Sequence, residues 1–321
     1  MPMYDKRELS AKAKELNVVR DTFEKVCRLQ EILRFIDSSD LLRDKFALKG
    51  GTAINLVLLD LPRLSVDIDL DFTGKCTREE MLEQREAINR VLAKYMTAEG
   101  YTLSSKSKVW HSLDSFVYEY VNSAGLKDNI KIEPNYSLRS HILPIESRNV
   151  ISGIFGKEYH VNMLSPVEIY ATKTVALLTR GAARDLFDMN YMIKSGVINE
   201  GDYEIYRKCV MFYFAISTET PILSYNTDRI DSITNHIIIS DLFPVIRDRE
   251  VFQLEDAKKT VKEFLFEKVY YTDRDVDFLC RFKNGYYRPE LLFDDADTIG
   301  RIENHPMALW KTARSREVQE R

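Results

Sequence analysis

Apolar side chains recur at three- and four-residue steps across residues 9–37, at Leu16, Val19, Phe23, Val26, Leu29, Ile32 and Leu33, which predicts one amphipathic helix. A short apolar stretch at 46–48 runs into Gly50-Gly51, and residues 52–59 read as a helix that stops before Pro62. From Val66 the period changes to two. Val66, Ile68 and Leu70 alternate with Asp67, Asp69 and Asp71, which predicts a half-buried strand carrying its carboxylates on one face. Thr77-x-x-Glu80 is a capping box opening a helix that ends near Gly100. Strands are predicted at 102–109, 115–122 and 129–134, with turns marked by Asn122, Gly125 and Asp128-Asn129, and a further short one at 159–164.

Helical spacing dominates the rest. Ser165-Pro166-x-Glu168 supplies an N-cap, a proline at the first helical position and a glutamate at the third, for a helix reaching about Arg180. The next spans 184–194 and stops at Gly196. Beyond residue 200 the clearest helices are 203–216 and 256–270. Tyr203, Tyr206, Phe212, Tyr213 and Phe214 sit at helical spacing and read as core. The polar stretch 311–321 is expected to fray. A strand–helix first half and a helical second half predict an α+β protein of two domains, 1–160 and 161–321, with the boundary near 155–165.

Composition narrows the class. Hydrophobic residues make up 45% and charged residues 30%, which excludes wholesale disorder. A net charge of −4 gives no global basic field, so nucleic-acid binding requires a local patch. Cys27, Cys76, Cys209 and Cys280 lie far apart without a C-x-x-C pair, against a zinc ribbon or disulfide framework and in keeping with a reducing compartment. The charged N-terminal residues do not form a signal peptide, and no run approaches the ~20 apolar residues of a membrane span. A cytoplasmic protein without a membrane partner is expected. The five histidines show no ligand spacing, and neither a G-x-S-x-G elbow nor a Walker A loop occurs.

The chemistry concentrates in Lys49-Gly50-Gly51-Thr52 and Arg63-x-Ser65-x-Asp67-x-Asp69. A Gly-Gly turn feeding a helix exposes backbone N–H groups and lets a phosphate approach closely. Thr52 either caps that helix or bonds a phosphate oxygen. Two carboxylates at i and i+2 on a strand suit a divalent ion shared with substrate phosphates. Taken singly, Gly-Gly is an ordinary turn and Asp-x-Asp a solvated face. Together they point to metal-assisted phosphoryl or nucleotidyl transfer. Asp71 reads as the strand's end, with a place beside the metal as the alternative. Further on, Lys173 and Arg180 share a helix face seven residues apart, and Arg184, Asp185 and Asp188 open the next helix, where Arg184 is spaced to pair with Asp188. A surface charge ladder is the plain alternative.

These residues resemble a known family. Gly50-Gly51-Thr52-Ala53 followed by Arg63-x-Ser65-x-Asp67-x-Asp69 looks like the first motif of the nucleotidyltransferase AbiEii/AbiGii toxin family, of the DNA-polymerase-β-like nucleotidyltransferase superfamily. Pro166-x-Glu168, Lys173, Ala176-Leu177, Arg180 and Arg184-Asp185-x-Phe187-Asp188 resemble its downstream motifs in order and spacing, so the likeness covers roughly residues 45–195. It implies a polymerase-β-like domain with a mixed sheet, followed by a mostly helical domain. It implies Mg²⁺, or Mn²⁺ in its place, held by Asp67 and Asp69 with Glu133 as third carboxylate, where many members carry Asp. The alternative for Glu133 is a charge pair with Lys131. Gly50, Gly51, Thr52, Ser65 and Lys173 are then expected on a nucleoside triphosphate, with Asp67, Asp69, Lys173 and Asp188 catalytic. Asp188 orients Lys173 or acts as base, and Asp185 pairs with Arg180 or Arg184.

The function implied is the toxin of a toxin–antitoxin or phage-defence pair, adding nucleotides to an RNA acceptor such as the tRNA 3′ end and blocking translation, with a cognate antitoxin as partner. An aminoglycoside-type nucleotidyltransferase and a non-catalytic nucleotide-binding module are the alternatives. Arg281–Lys283, Tyr286, Tyr287 and Arg288 mix basic and aromatic residues, read first as a packed surface loop and second as a grip on RNA.

Overall fold

The amphipathic N-terminal run folds as two helices, not one: α1 (Lys6–Glu15) and α2 (Arg20–Ser38). The break falls at Asn17, whose φ of 53° is left-handed, a conformation asparagine tolerates better than most residues. Helix α2 buries Phe23, Val26, Leu29, Ile32 and Leu33, the positions its periodicity selects. The structure, a computed structural model, describes residues 4–150, 158–247, 249 and 251–319. Part of the boundary expected near 155–165 and the last two residues of the expected fraying tail lie outside them.

The described residues form two units. The first takes those of Met1–Arg139, Ile145–Met163 and Pro244–Asp248, and the second those of Ser140–Pro144, Leu164–Phe243 and Arg249–Arg321. In the first unit, after α2, come β1 (Phe46–Lys49) and α3 (Gly50–Ala53), the latter continued by a π-helical turn over Ile54–Leu58. Then follow β2 (Asp67–Phe72), α4 (Arg78–Ala98), β3 (Thr102–Leu103), β4 (Lys108–Val109), β5 (Asp114–Val121) and β6 (Lys127–Asn135). The last strands are β7 (Glu146–Asn149) and β8 (His160–Met163). The capping box forms: Thr77 N–H donates to Glu80 Oε2 at 2.8 Å and Glu80 N–H to Thr77 Oγ1 at 3.2 Å. The single strand expected at 102–109 is two short pieces. Strand β7 carries no apolar alternation, because three of its four residues are exposed where it pairs with β8.

The mixed sheet runs β3-β5-β6-β2-β1-β8-β7, with β4 beside β5. Strand β2 lies between antiparallel β1 and parallel β6. Ile68, Leu70 and Phe72 are buried, each at most 2% exposed, which fixes the opposite face for the acids.

The second unit is helical: α5 (Pro166–Arg180), α6 (Ala183–Ser195), α7 (Tyr203–Ile216), α8 (Asp228–Asp231), α9 (Asn235–Ile237), α10 (Leu254–Lys268), α11 (Asp273–Lys283), α12 (Ala296–Ile302) and α13 (Pro306–Gln319). Gly196 ends α6 in the left-handed region, as its position predicts. Tyr206, Phe212, Tyr213 and Phe214 are buried. Two expectations are corrected. The described part of the polar tail is helix to Gln319. Glu168 does not cap α5; it is fully buried and accepts the Ile142 and Leu143 N–H groups at 3.0 Å and the Tyr213 hydroxyl at 2.7 Å. These three donors balance a carboxylate taken out of water.

Candidate active site

Strand alternation puts Asp67 and Asp69 half-exposed on one face of β2. The Gly50-Gly51 turn leaves β1 beside them, because β1 and β2 are registered with Lys49 opposite Asp69. Gly50 has φ 68°, and a Cβ built on it would stand 2.4 Å from Asp69 Oδ2. Only a residue without a side chain fits here. A Cβ on Gly51 would stand 2.6 Å from Arg63 Nη2 and 2.9 Å from Ser65 Oγ. The bare backbone therefore faces a carboxylate on one side and a guanidinium and a hydroxyl on the other.

Gly50→Ala is expected to cost about 1–2 kcal/mol, the strain of a left-handed alanine, and to lower nucleotidyl transfer at least about tenfold by pushing Asp69 aside. Initial rates and thermal melts measure both, and an unchanged rate would show that the turn does not hold the carboxylate.

Below the turn, Thr52 is fully buried and its hydroxyl donates to the Asp67 backbone oxygen, 3.0 Å from Ser65 Oγ. As folded, it ties α3 to β2 and turns no oxygen outward to a phosphate. Asn55 Nδ2 donates to Gly51 O at 2.8 Å, while its Oδ1 accepts the Arg63 N–H at 3.3 Å. Asp71 belongs to β2 rather than ending it: it is 1% exposed and accepts from Lys49 Nζ at 2.5 Å. Arg63, which the motif contains, is 3% exposed with its guanidinium at Gly51. Only the fold, which closes the loop between 53 and 65, reveals that.

Parallel pairing of β2 and β6 aligns Asp67 with Lys131 and Asp69 with Glu133. The register brings Glu133 next to Asp69, and its carboxylate meets Lys131 Nζ at 2.6 Å. Among the described residues no three His, Cys, Asp or Glu side chains are grouped to hold a metal ion. Asp67 and Asp69 nevertheless fit a Mg²⁺ that arrives with its nucleotide, since that ion takes one or two carboxylates and completes its shell with water and phosphate oxygens. Gly50 and Gly51 add no side chain of their own to that space, which Asp69, Arg63 and Ser65 border.

In the second unit, α5 and α6 build a buried charge group. Lys173 Nζ lies 2.9 Å from Asp185 Oδ1 and 3.0 Å from Asp188 Oδ2. Arg180 forks onto Asp185 at 2.6 and 2.9 Å. Both aspartates are 1% exposed and Lys173 is 8%. Burial would raise the Asp185 carboxyl, but Lys173 and Arg180 outweigh it and hold it below the ordinary range. Arg184 Nε donates to the Asp241 backbone oxygen at 3.0 Å. The resemblance implies that Asp185 pairs with Arg180 or Arg184; the Arg180 pair forms between neighbouring helices, and two acids enclose Lys173.

A family model described as nucleotidyl transferase AbiEii toxin, type IV TA system, matches residues 33–271. No curated protein matches the chain. Among solved structures, the chain is similar to MenT4, a nucleotidyltransferase toxin from Mycobacterium tuberculosis H37Rv, at 14% identity and a TM-score of 0.62, covering 94% of this chain and 98% of that one. At that identity the likeness is one of fold.

Proposed function

The chain belongs to the AbiEii nucleotidyltransferase toxin family of type IV toxin–antitoxin systems, and from that premise we propose that it transfers a nucleotide from a Mg²⁺-bound nucleoside triphosphate to an RNA acceptor. The observation that carries the reading is the Gly50 contact, which sets a side-chain-free backbone turn against the Asp69 carboxylate. Asp67 and Asp69 would hold the ion, with Glu133, now paired with Lys131, as the third carboxylate beside them. The ion would supply charge neutralisation for the departing pyrophosphate and acidification of the acceptor hydroxyl. Gly50 and Gly51 admit the triphosphate to backbone distance, and Ser65 and Arg63 donate to its oxygens.

In the transfer, the acceptor hydroxyl gives its proton to solvent, its oxygen bonds to the α-phosphorus, the bond from the α-phosphorus to the αβ-bridging oxygen breaks, and pyrophosphate leaves. Lys173 and Asp188 act by holding α5 on α6, with Asp188 orienting the lysine. An RNA acceptor such as the tRNA 3′ end, modified so as to block translation in the cytoplasm, completes the reading, with an antitoxin as partner and phage defence as the setting. No helix among the described residues is long and apolar enough to cross a membrane.

Expression of the chain is expected to arrest growth of a bacterial host, and Asp69→Ala to relieve the arrest at equal protein level. Colony counts and immunoblots measure this. Arrest that persists with a stable variant would detach toxicity from β2.

A further inference from the structure

The loop after α11 packs through Tyr287, whose hydroxyl donates to the Ile302 oxygen at 2.7 Å, as a packed surface loop would. The last residues of α11, Phe282 and Lys283, line a cavity of about 610 Å³ in the second unit, together with α13 and the segment after α7. Its walls include Pro221, Phe282, Lys283, Trp310, Lys311 and Arg314. None of the residues assigned to chemistry above lines it. Phe282 is buried at 1%, whereas Trp310 is 54% exposed, so the cavity has an apolar floor and an accessible indole at its rim.

The cations are distributed unevenly. Arg281 pairs with Asp277 at 2.7 Å, and Arg288 pairs with Glu290. Among the described residues, Lys283 and Arg314 have no carboxylate partner. Arg314 instead lays its guanidinium over Trp310, 5.5 Å from the ring centre. Lys311 donates to the Ala215 oxygen at 3.1 Å and to the Thr218 oxygen. Burial pushes its ammonium down to about 8, against the pull of Glu219. Three cations and one acid line a half-apolar cavity in a chain whose net charge is −4.

A stacking ring beside unpaired cations matches one ligand chemistry, a planar base carrying phosphate. We propose that this cavity is a second nucleotide-binding site, taking a base against Trp310 and its phosphate on Lys283 and Arg314. Such a unit comes either as a free mononucleotide or as one residue of a single-stranded RNA. Phosphate contacts by two point charges and stacking on one ring are largely indifferent to base identity.

The sequence has two tryptophans, so Trp110→Phe leaves Trp310 as the sole indole reporter in the full-length protein. The probes are AMP and a five-residue oligouridine, titrated in EDTA so that metal-dependent binding at β2 does not contribute. Quenching of Trp310 emission by either probe is expected, with the saturating probe naming the source. In a parallel measurement, anisotropy of the fluorescein-labelled oligouridine and displacement of labelled AMP report binding without the indole. Arg314→Glu and Lys283→Glu are each expected to weaken binding at least tenfold without lowering the melting temperature, and each to reduce the salt slope by about one. Asp69→Asn is expected to leave binding unchanged, which separates this site from the reading of β2. Absence of quenching by both probes, or equal affinity in wild type and both charge variants, overturns the proposal.

Discussion

Lys173→Ala is expected to lower the melting temperature by roughly 6–20 °C, from about 3–5 kcal/mol for a buried pair left without its partner and about 2–4 °C per kcal/mol in a unit of this size. The variant would strand Asp185 and Asp188, each 1% exposed, with Arg180 left on one of them. The deficit has a pH signature. Asp185 is held below its ordinary value in the folded protein, so its stabilisation is present above the unfolded carboxylate value of about 3.9 and is lost as pH falls through the lower folded one. Without Lys173 that depression shrinks. The gap between variant and wild type should therefore be full at neutrality and close only below about pH 4, as pH falls through the depressed folded value of Asp185. Thermal melts across pH measure it. An unchanged melting temperature with the nucleotide KM raised about 10- to 150-fold, the equivalent of roughly 1.5–3 kcal/mol, would instead make Lys173 a phosphate ligand.

Replacing both Asp67 and Asp69 by asparagine is expected to abolish transfer and leave the fold intact. An amide carries no charge with which to hold a divalent ion between protein and triphosphate, and losing about 4 kcal/mol of transition-state stabilisation is roughly a thousandfold in rate. Without ligand the variant should melt within a few degrees of wild type, since both side chains are half-exposed and removing like charges from one strand face relieves repulsion. Mg²⁺ with nucleotide should raise the wild-type melting temperature and leave that of the variant unmoved. A variant that melts far below wild type without ligand would make the acids structural.

The local features were legible because they are written in neighbouring residues. The alternation around Asp67 and Asp69, the Thr77–Glu80 box, the Gly196 stop and the aromatic face of α7 all involve residues within one element. The features that escaped depend on pairing between distant segments. Glu133 is legible as a candidate third carboxylate only through the family resemblance, because Asp69 reaches it from another strand by the parallel register of β2 and β6. Glu168 looked like a cap because Ser165 and Pro166 precede it, while its donors come from Ile142, Leu143 and Tyr213. The resemblance pairs Lys173 with Asp188, while its second acid, Asp185, and its burial become visible only with α6 packed on α5. Asn17 broke a helix whose hydrophobic period runs through it, since periodicity records burial and not backbone sign.

The most direct test incubates the purified chain with Mg²⁺, each α-labelled nucleoside triphosphate and total RNA, and resolves the products on a denaturing gel. Wild type is expected to place label on an RNA band, tRNA-sized if the acceptor is tRNA, in Mg²⁺ and not in EDTA, and the Asp67→Asn, Asp69→Asn variant to place none. Label transferred by that variant, or no RNA labelled by wild type with any of the four nucleotides, would contradict the account.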